Sequence, residues 1–172
     1  MSDSTGAADL LTDAFSRIQQ LTTSVVTGLS SEQLAYQPKP GANSIGWLVW
    51  HLIRIQDDHV ADAAGTEQVW TAQGWHDRLG LPFDAADTGY GHGPEQVAAV
   101  VIADPELLIG YADAVCQRTA EFVGGLSATQ LSRVVDERWD PPVTLGVRLV
   151  SVLGDDWQHL GQAGYLKGLL PG

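Results

Sequence analysis

Four long stretches of this sequence repeat apolar residues at steps of three and four, and this spacing limits the fold more than any other feature. The stretches cover residues 8–29, 43–64, 104–123 and 144–170. Such spacing places the apolar side chains on one face of an α-helix. No stretch alternates apolar and polar residues over a strand length between turn residues, so we predict no β-sheet. The sequence therefore predicts an all-α fold in which four long helices form a bundle.

The two halves of the chain repeat the same order of parts. Residues 28–34 read Gly-Leu-Ser-Ser-Glu-Gln-Leu, and residues 125–131 read Gly-Leu-Ser-Ala-Thr-Gln-Leu. Each copy follows a predicted long helix and contains a Ser-x-x-Gln capping box, which satisfies free backbone amides at the start of a short helix. Each copy then leads through a proline-containing linker, 38–41 or 140–142, into the next long helix.

A long connection, residues 65–103, separates the two halves and contains several glycines and two prolines. Short helices are predicted within it at 67–75 and 95–101. A connection of this length inside a compact domain usually crosses over the bundle or serves a site. We therefore predict one domain over residues 1–172, a four-helix bundle with one long crossover connection between its second and third long helices.

Charge and composition exclude several classes of function. Twenty-one acidic residues against nine lysines and arginines give a formal net charge of −12. Such a surface repels phosphates, so nucleic acids and anionic membranes are not expected partners. Residues 1–6 contain no basic or apolar run of a signal peptide, and no apolar run approaches the roughly 20 residues of a membrane span. With a single cysteine, Cys116, and no internal disulfide, we expect a cytoplasmic protein.

The last helix carries acidic residues next to a histidine within an otherwise apolar stretch. Asp155 and His159 are one turn apart on one face, so both side chains can reach one ion. Asp156 lies on the other side of His159 and is a geometrically possible substitute. Acidic groups in an apolar helix are costly unless a cation or a hydrogen-bond donor compensates them. This cost favours a divalent metal site.

A second histidine ligand is predicted from the second long helix, which contains His51 and His59. These two are eight residues apart, about 12 Å along the helix, so they cannot readily share one ion. The apolar spacing does not choose between them. Two histidines and a carboxylate would leave coordination positions open for water or substrate, as in catalytic zinc and iron sites. The alternative is a hydrogen-bonded core histidine and an Asp155 that orients His159 without metal.

The remaining histidines and the tryptophans receive simpler interpretations. His76 and His92 lie in glycine-rich connections and are predicted to be solvated. Most tryptophans are predicted to lie in the core or an interface. Trp139 is the exception, because it precedes the second linker where that linker meets the helix ends, and it is predicted to form a pocket wall.

Two motifs carry a family resemblance. Residues 44–52 read Ser-Ile-Gly-Trp-Leu-Val-Trp-His-Leu, and residues 155–162 read Asp-Asp-Trp-Gln-His-Leu-Gly-Gln. They resemble the Ser-Ile-x-x-Leu-x-x-His-Leu and ligand-x-x-x-His-x-Gly-Gln motifs of the DinB/YfiT-like superfamily of metal-binding four-helix bundles. The commonest form has histidine at the position of Asp155. The thiol-linked branch, which includes mycothiol-dependent maleylpyruvate isomerases, has a carboxylate there, as this chain does.

The resemblance implies a ligand set and a chemistry. His51 rather than His59, Asp155 rather than Asp156, and His159 would bind a divalent ion: zinc, nickel, iron or manganese. The ion would activate a low-molecular-weight thiol similar to mycothiol, or a water molecule as in a hydrolase. The thiol would serve S-transfer to a small electrophile, or its isomerisation.

Four further residues are predicted to bind the substrates, namely Trp139, Gln162, Arg54 and Arg148. The two arginines are candidate partners for an anionic group. The expected partners are thus a small-molecule thiol and an electrophilic substrate, and the superfamily also implies frequent homodimers. The alternatives are a non-catalytic metal-binding stress or sensor protein on the same bundle, and a purely structural helical dimer.

Overall fold

The computed structural model of the protein describes residues 6–171 and is mostly helical. In chain order its elements are α1 (Ala7–Val26), α2 (Ser31–Leu34), α3 (Ile45–Ala64), α4 (Val69–Ala72), α5 (Trp75–Leu79), α6 (Pro94–Ala98), α7 (Pro105–Gly124), α8 (Ala128–Leu131), β1 (Val134–Asp136), β2 (Val143–Thr144) and α9 (Leu145–Gly168). The predicted all-α class is confirmed. The prediction that the N-terminus is not a signal peptide concerns residues 1–6. Of these, residues 1–5 lie outside the described part of the chain.

The four long helices, α1, α3, α7 and α9, form the bundle. The most extensive contacts join α3 to α9 and α1 to α7, and further contacts join α1 to α9 and α3 to α7. Among residues 6–171, no helix has the combination of length and apolar character that crossing a membrane requires. The pairing of α3 with α9 matters most for function, because the predicted ligands lie on these two helices.

The ends of the long helices follow local sequence signals. The Ser44 hydroxyl accepts a hydrogen bond from the Trp47 amide at the start of α3, and Asp104 caps α7 with Pro105 at its first position. Such caps satisfy amides that have no partner inside the helix. α1 ends at Val26 rather than at residue 29, because Thr27 leaves the helical conformation with ψ 129° and Gly28 follows with φ +79°.

Both predicted capping boxes are present and start equivalent short helices. Ser30 and Gln33 bind each other's backbone amides at α2, and Ser127 and Gln130 do the same at α8. The repeated heptapeptides therefore form the same local structure in both halves.

The two halves also continue in the same way, each packing its short helix against the next long helix. A Cβ atom on Gly46 would lie 3.2 Å from the carbonyl oxygen of Leu34, and one on Gly146 would lie 3.3 Å from that of Leu131. Both contacts are closer than most side chains tolerate. Glycine near the start of α3 and of α9 therefore lets a neighbouring carbonyl approach in each half.

The prediction of no β-sheet was wrong in one place. β1 and β2 form a two-stranded antiparallel hairpin, in which Val134 lies opposite Thr144 and Asp136 opposite Val143. Strands of three and two residues are too short to show an alternating pattern, so the sequence gives no signal for them. The second linker, residues 140–142, lies in the connection between the two strands, and β2 leads directly into α9.

The crossover connection covers the outer face of α3. The ring of Trp50 on α3 lies 6.5 Å from Trp70, 5.6 Å from Phe83 and 5.9 Å from His92, measured between ring centroids. α3 is therefore buried along nearly its whole length. The predicted solvation of His92 was wrong: its side chain is only 2% exposed, because the glycine-rich segment folds back over the helix. The side chain of His76 is 31% exposed.

Candidate metal centre

The structure brings His51, Asp155 and His159 together between α3 and α9. One potential ligand atom from each residue lies within 4.8 Å of the other two. His51 approaches from α3, and the other two lie one turn apart on α9. Neither His59 nor Asp156 belongs to this cluster in the part of the chain that the structure describes.

Both histidines of the cluster are oriented by a hydrogen bond at Nδ1. His51 Nδ1 donates to the carbonyl oxygen of Thr88 at 2.6 Å, and His159 Nδ1 donates to Oε1 of Gln162 at 3.1 Å. Because carbonyl oxygens only accept, each Nδ1 carries a proton, and in the neutral ring Nε2 keeps a free lone pair. Metal-binding histidines are commonly held in this way. Gln162, predicted to bind substrate, is placed here as the partner of His159.

Asp155 supplies the third donor and has an oxygen without a partner. Its Oδ1 lies 3.5 Å from His159 Nε2, whereas its Oδ2 is buried and makes no hydrogen bond to the residues that the structure describes. A buried carboxylate oxygen without a partner is costly, and a cation next to it would compensate that cost. Two neutral imidazoles and one carboxylate therefore fit a divalent ion.

The pKa values of the cluster agree with this chemistry. Burial lowers the pKa of His51, which keeps its imidazole neutral. Burial opposes ionisation of Asp155, but His159, whose Nε2 can donate to the carboxylate when protonated, and the other neighbouring histidines outweigh this effect and lower its pKa. Asp155 stabilises the protonated ring, from which it can accept a hydrogen bond, and so raises the pKa of His159. Asp155 is thus a carboxylate, and a bound metal would compete with a proton for His159.

Asp156 lies in the interior of the bundle instead. It is fully buried, and both its carboxyl oxygens lack hydrogen-bond partners among residues 6–171. Burial, together with the charge of Asp155, raises its pKa well above the ordinary value. The structure therefore places Asp155, and not Asp156, beside the two histidines.

Residues 84–92 of the crossover, here called the covering loop, hold Thr88 over His51. The Asp87 carboxylate accepts hydrogen bonds from the Gly89 amide at 2.7 Å and from His92 Nε2 at 3.0 Å. The indole of Trp47 in turn donates to His92 Nδ1 at 3.2 Å. These bonds fix the loop to itself and to α3, so the carbonyl that orients His51 has a defined position.

Arg54 on α3 binds the backbone of the covering loop. Its side chain is fully buried and donates to the carbonyl oxygens of Asp87 at 3.2 Å and Ala85 at 3.4 Å. It also donates to the Tyr111 hydroxyl at 3.3 Å and lies 3.6 Å from an oxygen of Asp57. Arg54 was predicted to bind an anionic substrate, but the structure places it in the core, where it supports the loop that orients His51.

Gly89→Ala should weaken metal binding, whereas Gly91→Ala should not. Both glycines lie in the covering loop with positive φ, +85° and +78°, so alanine costs about 1–2 kcal/mol of backbone strain at either position. A Cβ on Gly89 would also lie 2.9 Å from His51 Nδ1, whereas one on Gly91 would meet nothing within 4 Å.

Displacing an oriented histidine typically costs about 10–100-fold in metal affinity. Titration calorimetry of both variants with Zn²⁺ measures the difference. Equal affinities in the two variants would contradict a role for the loop in orienting His51.

A cavity of about 210 Å³ opens beside the cluster. It is lined by His51, Ile55, His59, Tyr90, Arg148, Ser151, Val152 and Asp155. A second cavity of about 400 Å³ shares His59 and Arg148 with it and is otherwise lined by Asp58, Ala61, Asp62, Thr66, Gln68 and Arg138. Arg148, one of the residues predicted to bind substrate, therefore lines both cavities.

Trp47, rather than Trp139, packs its ring against the histidines of the cluster. Trp139 lies between the hairpin strands, is 65% exposed and lines neither cavity. The ring of Trp47 stacks on His51 at 4.6 Å and lies 6.0 Å from that of His159. Trp47 precedes His51 by four residues, a spacing that brings two side chains together on one face of a helix and so indicates this contact in the sequence. Thr88 acts through its backbone carbonyl, so no side-chain pattern could have revealed it.

Comparisons with known proteins agree with the fold and place the chain in a family. Its structure matches the crystal structure of a protein from Enterococcus faecalis described as a conserved protein, with a TM-score of 0.89. The two are 30% identical, and the match covers 96% of this chain and 98% of the other. No curated protein matches the chain. The sequence also matches the family model of the DinB superfamily over residues 14–163. The chain therefore belongs to the DinB superfamily.

Proposed function

We propose that the chain is a divalent-metal-dependent enzyme that uses a low-molecular-weight thiol, similar to mycothiol, on a small electrophile. His51, Asp155 and His159 would hold the ion. One observation carries the proposal: ligand atoms, one from each of two imidazoles and a carboxylate, lie within 4.8 Å of one another beside a cavity, and one oxygen of that carboxylate is buried without a partner among the described residues. Three protein ligands would leave coordination positions free for water, thiol or substrate.

A bound divalent ion lowers the pKa of a coordinated thiol or water, which makes either a nucleophile at neutral pH. The protein residues supply position. The hydrogen bonds to Thr88 and Gln162 fix the imidazoles, and Trp47 stacks on His51. Arg148 lies where an anionic group of the substrate could approach.

The reaction would be a transfer or an isomerisation. In a transfer, the thiol sulfur forms a bond to the electrophilic carbon, the leaving group departs with its electron pair, and the thiol proton passes to solvent. In an isomerisation, the sulfur adds to a carbon–carbon double bond and is expelled again after rotation about the resulting single bond, so the thiol is regenerated.

Turnover by the metal-loaded protein tests this proposal. The protein is first freed of metal and then loaded with zinc, nickel, iron or manganese. Each form is assayed with mycothiol against a panel of epoxides, alkyl halides and conjugated cis-alkenes. We expect thiol-dependent turnover that disappears in the metal-free protein. Metal uptake without turnover across the panel would instead support the second candidate, a non-catalytic metal-binding stress or sensor protein.

We also propose a cytoplasmic location and no binding to nucleic acids or anionic membranes. The net charge of −12 makes nucleic acids and anionic membranes unfavourable partners, and the single cysteine is compatible with the cytoplasm. We also propose a homodimer, as the family resemblance implies, and sedimentation of the purified protein measures this directly.

A further inference from the structure

A chain of three side chains runs from the hairpin to the cavity beside the metal cluster. Asp136, at the end of β1, is buried and accepts a hydrogen bond from Arg148 Nη2 at 2.9 Å. Nη1 of the same guanidinium lies 3.3 Å from Nδ1 of His59. Arg138 also donates to Asp136, but among residues 6–171 only Arg148 makes hydrogen-bond contacts to both Asp136 and His59.

The contact between Arg148 and His59 determines where the imidazole carries its proton. A guanidinium stays protonated in proteins and can only donate hydrogen bonds. Nδ1 of His59 must therefore accept, and in the neutral ring the proton lies on Nε2. An oxygen of Asp58 lies 3.8 Å from the same Nδ1, which is beyond hydrogen-bond distance.

The Nε2–H group of His59 is left without a protein partner among residues 6–171. His59 is one of the two residues that line both cavities, and its side chain is about one-third exposed. A donor with this placement can satisfy an acceptor atom of a ligand in the cavity. The same position is two helical turns from His51, so His59 is not itself a metal ligand.

We propose that His59 is a ligand-positioning residue, held by Arg148 as a neutral Nε2–H donor that binds an anionic or oxygen-bearing group of the molecule coordinated to the metal. This inference rests on the proposed metal site and gives a role to a residue outside the ligand set. It also gives Arg148, which shares the Asp136 carboxylate with Arg138, a second role as the group that fixes His59.

The electrostatic surroundings of His59 agree with a neutral ring. Burial and the charge of Arg148 lower its pKa, whereas Asp58, Asp62 and Asp155 act in the opposite direction with smaller effect. At neutral pH the ring is therefore uncharged.

The tautomer can be measured without metal or substrate. Long-range ¹H–¹⁵N correlation spectra of the ¹⁵N-labelled, metal-free protein at pH 7 distinguish the two neutral tautomers and the imidazolium. We expect the neutral Nε2–H form for His59, with its signals assigned by their loss in His59→Gln. Arg148→Met should remove the preference, whereas Arg138→Met should keep it. An Nδ1–H tautomer or an imidazolium in the unmodified protein would overturn the proposal.

The donor role is tested on the cobalt-loaded protein with azide as the probe anion. In His59→Gln the amide nitrogen can replace Nε2–H, whereas the shorter side chain of His59→Asn reaches only the Nδ1 position. We expect azide affinity to fall about tenfold or more in the asparagine variant, and to be largely retained with glutamine. Equal affinities in the two variants would overturn the donor role. A protein that takes up no cobalt would contradict the proposed function itself, a result independent of the tautomer spectra.

Discussion

Asp155→Asn should abolish tight binding of divalent metal, whereas Asp156→Asn should retain it. Asparagine keeps the size of the side chain but removes the charge that attracts the ion. Changes to groups that merely orient a ligand cost about 10–100-fold in affinity, so loss of a ligand should cost at least about 100-fold. The two aspartates are adjacent in sequence, but only Asp155 lies beside His51 and His159.

Elemental analysis after dialysis and titration calorimetry measure both variants. Asp156→Asn also serves as the control for folding, because its carboxyl group is fully buried without partners and its charge gives no stabilisation that the amide would lose. Loss of the ion in Asp156→Asn and its retention in Asp155→Asn would show that the ligand assignment is wrong.

Asp57→Ala should destabilise the fold by about 3–5 kcal/mol, because it would leave a buried positive charge without its partner. The Asp57 carboxylate accepts hydrogen bonds from the amides of Val69 and Trp70 at 2.8 Å and from the Tyr111 hydroxyl at 2.7 Å. Its removal would also leave Arg54 buried without its carboxylate.

Asp58→Ala is the matched control, one residue along the same helix. Asp58 is about one-third exposed and bonds Gln68, so its removal should change the free energy of unfolding by about 0.5 kcal/mol or less. Urea denaturation of both variants gives the comparison. Equal losses would contradict the view that the network around Arg54 holds the crossover to α3.

Local signals predicted the fold well. The four long helices, the serine caps and both capping boxes depend on residues within one or two turns of each other, so their sequences suffice. The hairpin and the burial of His92 depend on contacts between distant segments. The crossover folds over Trp50, and nothing in the sequence near His92 indicates that it does so.

For the candidate site too, local features could be predicted and contacts between distant segments could not. Helix geometry alone made Asp155 and His159 a plausible pair, because one turn of α9 joins them. The choice of His51 over His59, and of Asp155 over Asp156, came from the family resemblance and agrees with the observed cluster. The carbonyl of Thr88 and the contact from Arg148 to His59 could not be predicted, since each joins segments far apart in the chain.

The similarity of the two halves has a consequence for the number of metal centres. α3 and α9 are equivalent helices, since Ser44 and Thr144 cap them and Gly46 and Gly146 admit a carbonyl near their starts. Counted from these caps, the equivalent residue pairs are His51 and Ser151, Ile55 and Asp155, and His59 and His159.

Exchanging the halves therefore converts the ligand set into a second set on the same two helices, namely Ser151, Ile55 and His59. All three line the cavity beside the cluster. This counterpart keeps one imidazole but has a hydroxyl and a hydrocarbon where the other set has an imidazole and a carboxylate, so it lacks the donors for an ion. The two similar halves thus supply the donors for one candidate centre, and the cavity beside that centre is lined by the counterparts of its ligands.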